Sequence, residues 1–281
     1  MRKKNVSALL MLISLVTSFE AVGKGVINPH EDEEVYTTIT ATTDYIWRGF
    51  SQTTHRPALQ GEFNLTIPKS PLTGLYANLW FSNVRFREDN KSNGSHSEAA
   101  MNDASDTSNM SAFSAQQATS DSSPTDGPEQ AFMEFDTSIG VSNSLGKNAS
   151  YDLWFVRYLY PGTTKLNYNE YMGEFNLFFL TALVGYTSNV YATGGKALYY
   201  NIGFNYQIPE SIIKLKSLYI RGGFGHYQLP LVSEEPNYND YSFEIENTFK
   251  NFGLSVMWTN TNDRSRPYGG NRISLAISAF L

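Results

Sequence analysis

No cysteine occurs among the 281 residues, which excludes disulfide frameworks and thiolate metal sites for this chain. Histidine is scarce too: His30, His55, His96 and His226 are scattered, mostly among turn-type residues, so no metal centre is expected. The calcium-loop spacing D-x-[DN]-x-[DN]-G is absent, and Gly194-Gly195, Gly222-Gly223 and Gly269-Gly270 make no phosphate-binding fingerprint, so no cofactor is expected. Charged residues are only 17% of the chain while aromatics reach 14%, yet the mean hydropathy is negative. Apolar residues are therefore interleaved with polar ones rather than segregated.

The N-terminus, MRKKNVSALLMLISLVTSFEAVGKG, sets a basic head of Arg2, Lys3 and Lys4 before an apolar run from Val6 to Val16 that is too short to span a bilayer. With the small residues of Ala21-Val22-Gly23 it reads as a signal peptide over 1–23, followed by a periplasmic segment over 24–34. Beyond it no run approaches the roughly 18 to 20 apolar residues of a transmembrane helix. Removing Arg2, Lys3, Lys4 and Glu20 from 21 basic and 27 acidic residues leaves 18 and 26, a net charge of -8, which argues against a nucleic-acid partner.

What is present is period-two alternation. Leu59, Gly61, Phe63, Leu65 and Ile67 oppose Gln60, Glu62, Asn64 and Thr66; Tyr171, Phe175, Leu177 and Phe179 oppose Glu170, Glu174 and Asn176; Ile273, Leu275 and Ile277 oppose Arg272, Ser274 and Ser278. A soluble sandwich also alternates, but its polar face carries many lysines and its strands centre near 5 or 6 residues; here lysine is sparse and most runs reach about 9 to 12, the span of a tilted bilayer-crossing strand. Twelve strands are expected: 35–47, 57–67, 73–84, 131–143, 150–158, 169–179, 182–192, 197–206, 217–227, 240–249, 252–260 and 271–280. The fold class is all-β, a transmembrane antiparallel up-and-down barrel over 35–281. With a periplasmic N-terminus, the longest connections fall on the outer side, with the short turn at 193–196 and the long one at 207–216 as exceptions. Tyr45, Trp47, Tyr158, Tyr160 and Trp258 are expected in an outer aromatic girdle.

One stretch breaks the alternation. After Trp47, Arg48-Gly49-Phe50-Ser51-Gln52 is expected to turn outward as an exposed loop before Pro57-Ala58-Leu59-Gln60-Gly61 starts the return strand. DYIWRGFSQ followed by PALQGEF resembles the TorF-like porin family of proteobacteria, also called Gcw_chp: Asp44, Tyr45, Arg48, Gly49, Ser51 and Gln52 match its first block, and Pro57, Ala58, Gln60 and Gly61 its second. The resemblance extends over most of 35–281 and implies an outer-membrane barrel of porin type. It also leads one to expect a terminal Phe for the assembly machinery, whereas here Phe280 is penultimate and Leu281 last.

An insertion at 88–130, with eight acids against the single base Lys91, has the composition of a disordered acidic loop. Candidate lumen-lining charges are Asp44, Glu62, Glu134, Asp136, Asp152, Glu170, Glu174, Arg221, Glu244, Glu246 and Arg272, which either select solutes or pair across a filled interior. The expected function is passive diffusion of small polar solutes or ions, with membrane lipid, lipopolysaccharide and the assembly machinery as partners. The alternative is a non-conducting surface protein or adhesin. A third reading, an enzyme, rests only on His55 beside Asp44, Ser51 and Gln52, and no catalytic residue is assigned.

Overall fold

Strict alternation of apolar and polar side chains lets a sheet be wet on one face and dry on the other, and the computed structural model of the chain closes such a sheet on itself. It describes residues 35–67, 74–87, 130–190, 195–229, 236–263 and 268–281. The expected signal peptide over 1–23, the expected periplasmic segment over 24–34 and nearly all of the 88–130 insertion lie outside them.

The strands are β1 (Val35–Thr42), β2 (Ile46–Trp47), β3 (Phe50–Ser51), β4 (Ala58–Thr66), β5 (Gly74–Arg87), β6 (Gln130–Ser144), β7 (Ala149–Leu159), β8 (Tyr168–Leu177), β9 (Leu180–Thr187), β10 (Ala197–Ile208), β11 (Leu218–Gln228), β12 (Tyr238–Phe249), β13 (Phe252–Thr261) and β14 (Arg272–Phe280). All but β2 and β3 form one closed antiparallel barrel of twelve strands, each hydrogen-bonded to its sequence neighbours, with β1 joining β14. That joint runs from Thr42 opposite Ala276 to Thr38 opposite Phe280. It is extended by Thr37 and Leu281, which exchange backbone hydrogen bonds of 3.1 and 2.9 Å. The start of β1 and the end of β14 therefore sit at the same rim as the β4–β5, β6–β7, β8–β9, β10–β11 and β12–β13 connections.

The barrel is apolar outside and polar inside. Leu59, Phe63, Leu65 and Ile67 are exposed while Gln60 and Asn64 are buried; Ile273, Leu275 and Ile277 are exposed while Ser274 and Ser278 are buried. An outer surface of this kind suits hydrocarbon, and closure leaves no strand edge with unpaired backbone groups there. Gly61 serves the same face. A Cβ on it would lie 2.3 Å from the Phe81 ring, which covers it from the neighbouring strand.

Two expectations need correction. The first strand does not run from 35 to 47: the ladder stops at Thr42, and Ile46–Trp47 pairs with Phe50–Ser51 in a separate two-stranded hairpin. Nor do Tyr45, Trp47, Tyr158 and Tyr160 form an outer girdle, since all four are buried in one cluster with Trp80, Trp154, Tyr168, Tyr199, Tyr227 and Tyr238. Strand parity is the reason: Tyr158 and Tyr160 stand an even number of residues from Asp152, on the inward face. Of the expected girdle, Trp258 alone points outward, its indole N–H donating to Asn271 Oδ1 at 3.0 Å. Leu281 has the outward parity of Ile277 and is exposed, whereas Phe280 is fully buried.

The outward face sets a depth-dependent test. Ile202 lies mid-strand in β10 and is 65% exposed, so Ile202→Arg is expected to cost about 2–4 kcal/mol in reversible unfolding from lipid. Phe249, at the turn-side end of β12, faces the interface, and Phe249→Arg is expected to cost about 0–1 kcal/mol. Equal costs would show that β10 does not cross the bilayer.

Candidate functional site

The segment between β1 and β4 is built around one carboxylate. Asp44 Oδ1 accepts from the Ser51 hydroxyl and, at 2.9 Å, from the Thr53 hydroxyl, while Thr42 Oγ1 donates to the Asp44 carbonyl at 2.9 Å. Gln52 N–H donates to the Tyr45 carbonyl at 2.6 Å. These bonds fold the chain back on itself, and the reversal occurs at Arg48-Gly49, with φ of 45° and 83°. Positive φ at both central residues is what a tight two-residue hairpin turn requires, and it favours glycine. At Gly49 space enforces the choice as well: a Cβ would lie 3.0 Å from Asp240 Cβ and 3.1 Å from Thr261 Cβ.

Those two neighbours show which way the hairpin points. Instead of projecting outward as an exposed loop, Trp47 to Phe50 folds into the barrel and reaches strands on its far side. The reason is energetic: Tyr45, Trp47 and Phe50 find an aromatic interior there, with Tyr45 against Trp80 (centroids 5.2 Å apart), Trp47 against Tyr227 (6.1 Å) and Phe50 against Tyr238 (5.0 Å).

Arg48 leads the hairpin. Its Nη2 donates to both carboxylate oxygens of Glu170 on β8 at 2.9 Å, and the Tyr158 hydroxyl donates to Glu170 Oε2 at 3.1 Å. The guanidinium carbon sits 4.2 Å from the Trp47 ring centroid, 4.1 Å from Tyr199 and 4.8 Å from Tyr227. With side chains 4% and 0% exposed, Arg48 and Glu170 make a dry ion pair across the barrel.

The remaining lumen-facing charges lie along the walls. Asn78 donates to Glu62 at 2.6 Å, Tyr160 to Glu134 at 2.9 Å, Tyr76 to both oxygens of Asp152 at 2.9 Å, and Asn176 to Glu174 at 2.8 Å. Arg221 bridges Glu244, at 2.9 Å, and Glu246. Asp136 is half-buried on the inward face of β6, cross-strand from Trp80. Arg272 stands apart at the loop-side rim, donating to the Gly269 carbonyl at 2.6 Å and packing against His55. On the inward face, among the described residues, carboxylates outnumber the guanidinium groups of Arg48, Arg221 and Arg272. From the second block, Ala58 and Gln60 face inward, and the Pro57 carbonyl accepts from Asn83 at 3.2 Å.

The structure does bring His55, Asp44 and Ser51 together, though not as a nucleophile and its base. Ser51 donates its hydroxyl to Asp44 and accepts the His55 backbone N–H at 2.9 Å, while the imidazole Nδ1 lies 3.4 Å from Asp44 and the ring meets Arg272. General-base catalysis needs the ring within reach of the hydroxyl proton. Sequence reading missed Tyr199, Tyr227 and Asp240. The available signal was parity, because Asp240 is in phase with Glu244 and Glu246, and Tyr199 with Asn201.

A family model described as "Bacterial protein of unknown function (Gcw_chp)" matches residues 27–279. No curated protein matches in sequence. Among solved structures the chain is similar to the KdgM porin, with a TM-score of 0.42, 9% identity, and 87% of this chain and 98% of that one covered. It is similar to OccK5 (OpdH) of Pseudomonas aeruginosa, with a TM-score of 0.39, 12% identity, and 90% and 69% covered. LpxR from Salmonella typhimurium gives a TM-score of 0.41 at 8% identity, with 88% and 99% covered.

The docked hairpin is testable through Gly49. Gly49→Val places a branched side chain at positive φ against Asp240 and Thr261 and is expected to cost about 1–3 kcal/mol. Trp47 should become accessible to acrylamide while far-ultraviolet circular dichroism stays that of a barrel. Unchanged quenching would mean that the hairpin does not sit in the lumen.

Proposed function

The chain belongs to the bacterial Gcw_chp family, and from that premise we propose that it is a narrow outer-membrane channel, porin-like in fold, passing small polar solutes or ions with a preference for cations. The observation that carries this is the surplus of carboxylates on the inward face. Placing an ion in a dry, low-dielectric interior costs several kcal/mol, so a barrel with no aqueous path gains little from more mid-strand acids than guanidinium groups to balance them. In a wet lumen the same acids stay hydrated and set a negative potential that concentrates cations. The resemblance of DYIWRGFSQ and PALQGEF to TorF-like porins supports the same reading, as does the apolar outer belt. Export by the 1–23 leader, contact with lipid and lipopolysaccharide, and delivery by the assembly machinery belong to it.

One observation favours a second reading, a non-conducting surface barrel: Arg48 and Glu170 close a dry brace across the interior. Planar-bilayer recording of the refolded mature chain separates the two. The channel reading predicts small, reproducible steps with cation preference, and a lower preference when Glu62→Gln and Glu174→Gln are combined. A version lacking residues 88–130 tests whether the acidic insertion adds to that preference. Silence from a barrel that is folded, as judged by heat-modifiable mobility on a gel, would sink the channel and leave the surface protein.

A further inference from the structure

We propose that Glu170, Tyr199 and Tyr227 form a recognition site for a guanidinium-bearing solute, and that Arg48 is its tethered occupant. The group that fills the site comes from the β1–β4 segment, while the groups that receive it belong to the barrel wall on β8, β10 and β11. A carboxylate accepting two hydrogen bonds and aromatic faces within 5 Å of the cation are what binds a free guanidinium. Trp47 adds a third face from the hairpin itself.

The tethered occupant fits incompletely. Among the described residues, Arg48 Nη1 is buried without a hydrogen-bond partner, and so is Asp240 Oδ2. Asp240 is 1% exposed and adjoins the site: Tyr199, whose ring covers Arg48, has its hydroxyl 3.3 Å from Asp240 Oδ1. The backbone of Arg48 is fixed by the turn, so its fork meets one carboxylate. A free guanidinium, with donors on every edge, can turn to use both. Potassium or an alkylammonium ion lacks the planar fork and the stacking face.

The site deepens the channel reading and rests on it only for the solute being cargo; binding is measurable without transport. The folded barrel in detergent is titrated with methylguanidinium chloride, read by its tryptophan fluorescence, to which Trp47 beside the site contributes, in the wild type, Arg48→Ala, Arg48→Lys and Arg48→Ala with Glu170→Gln. Arg48→Ala is expected to bind saturably and about tenfold or more tighter than the wild type, because the competing side chain is gone. Arg48→Lys should fall between them, which keeps the test alive if the Ala variant fails to fold. Potassium and methylammonium at equal concentration should give no saturable signal, and adding Glu170→Gln should abolish binding. Equal affinity in the wild type and the Arg48 variants, or binding indifferent to Glu170→Gln, would overturn the site. Binding as expected from a barrel that is silent in bilayers would overturn the channel and leave the recognition site standing.

Discussion

Closure of the sheet is the constraint on which everything else depends. In hydrocarbon an unpaired backbone N–H or C=O has no partner, so β1 must find β14, and the ladder from Thr42 to Thr38, continued by Thr37 and Leu281, completes the ring. Once the ring is shut, each strand has one face in lipid and one in a narrow interior, and the two-residue period assigns every side chain. Leu, Ile and Phe go outward, and Glu, Asn and Ser go inward. Gly61 under Phe81 and Gly49 under Asp240 mark where backbone or ring must come closer than a Cβ allows.

The interior then has to be reconciled with its own charge. Carboxylates dominate the walls, and the guanidinium of Arg48 arrives from the first connecting segment instead of from a strand. A buried ion pair is not by itself a strong source of stability, since desolvation offsets most of its attraction. What Arg48 and Glu170 gain is surroundings: three aromatic faces on the cation and a tyrosine hydroxyl on the carboxylate. The pair fixes the hairpin's position, and Asp44 fixes its shape by collecting Ser51 and Thr53. Motif residues whose spacing had no periodic meaning thus acquire physical ones. Asp44 and Ser51 form the fold-back, Arg48-Gly49 the positive-φ turn, and Gln52 the bond that returns the chain toward Tyr45.

Strand number and the apolar faces were legible in the sequence because side-chain alternation is a local property, readable within any ten residues, whereas strand limits depend on where the partner strand ends, as at Thr42 and Thr187. The lumen face of β8, β12 and β14 could be named for the same reason. Tyr158 and Tyr160 were also decidable by parity from Asp152, yet the tendency of aromatics to gather at membrane interfaces pointed the other way. Parity prevails because a strand cannot turn one side chain to its other face without a bulge.

The direction of the hairpin was not legible. DYIWRGFSQ contains the turn, but a turn may point into solvent or into a lumen, and only partners distant in sequence choose. Glu170 lies 122 residues from Arg48, and Tyr199, Tyr227 and Asp240 farther still. By itself the sequence determined a membrane barrel, because period-two burial is encoded residue by residue. Tertiary structure alone decided that the barrel is braced from within, because a cation meets its aromatic faces and its carboxylate only after the ring has closed.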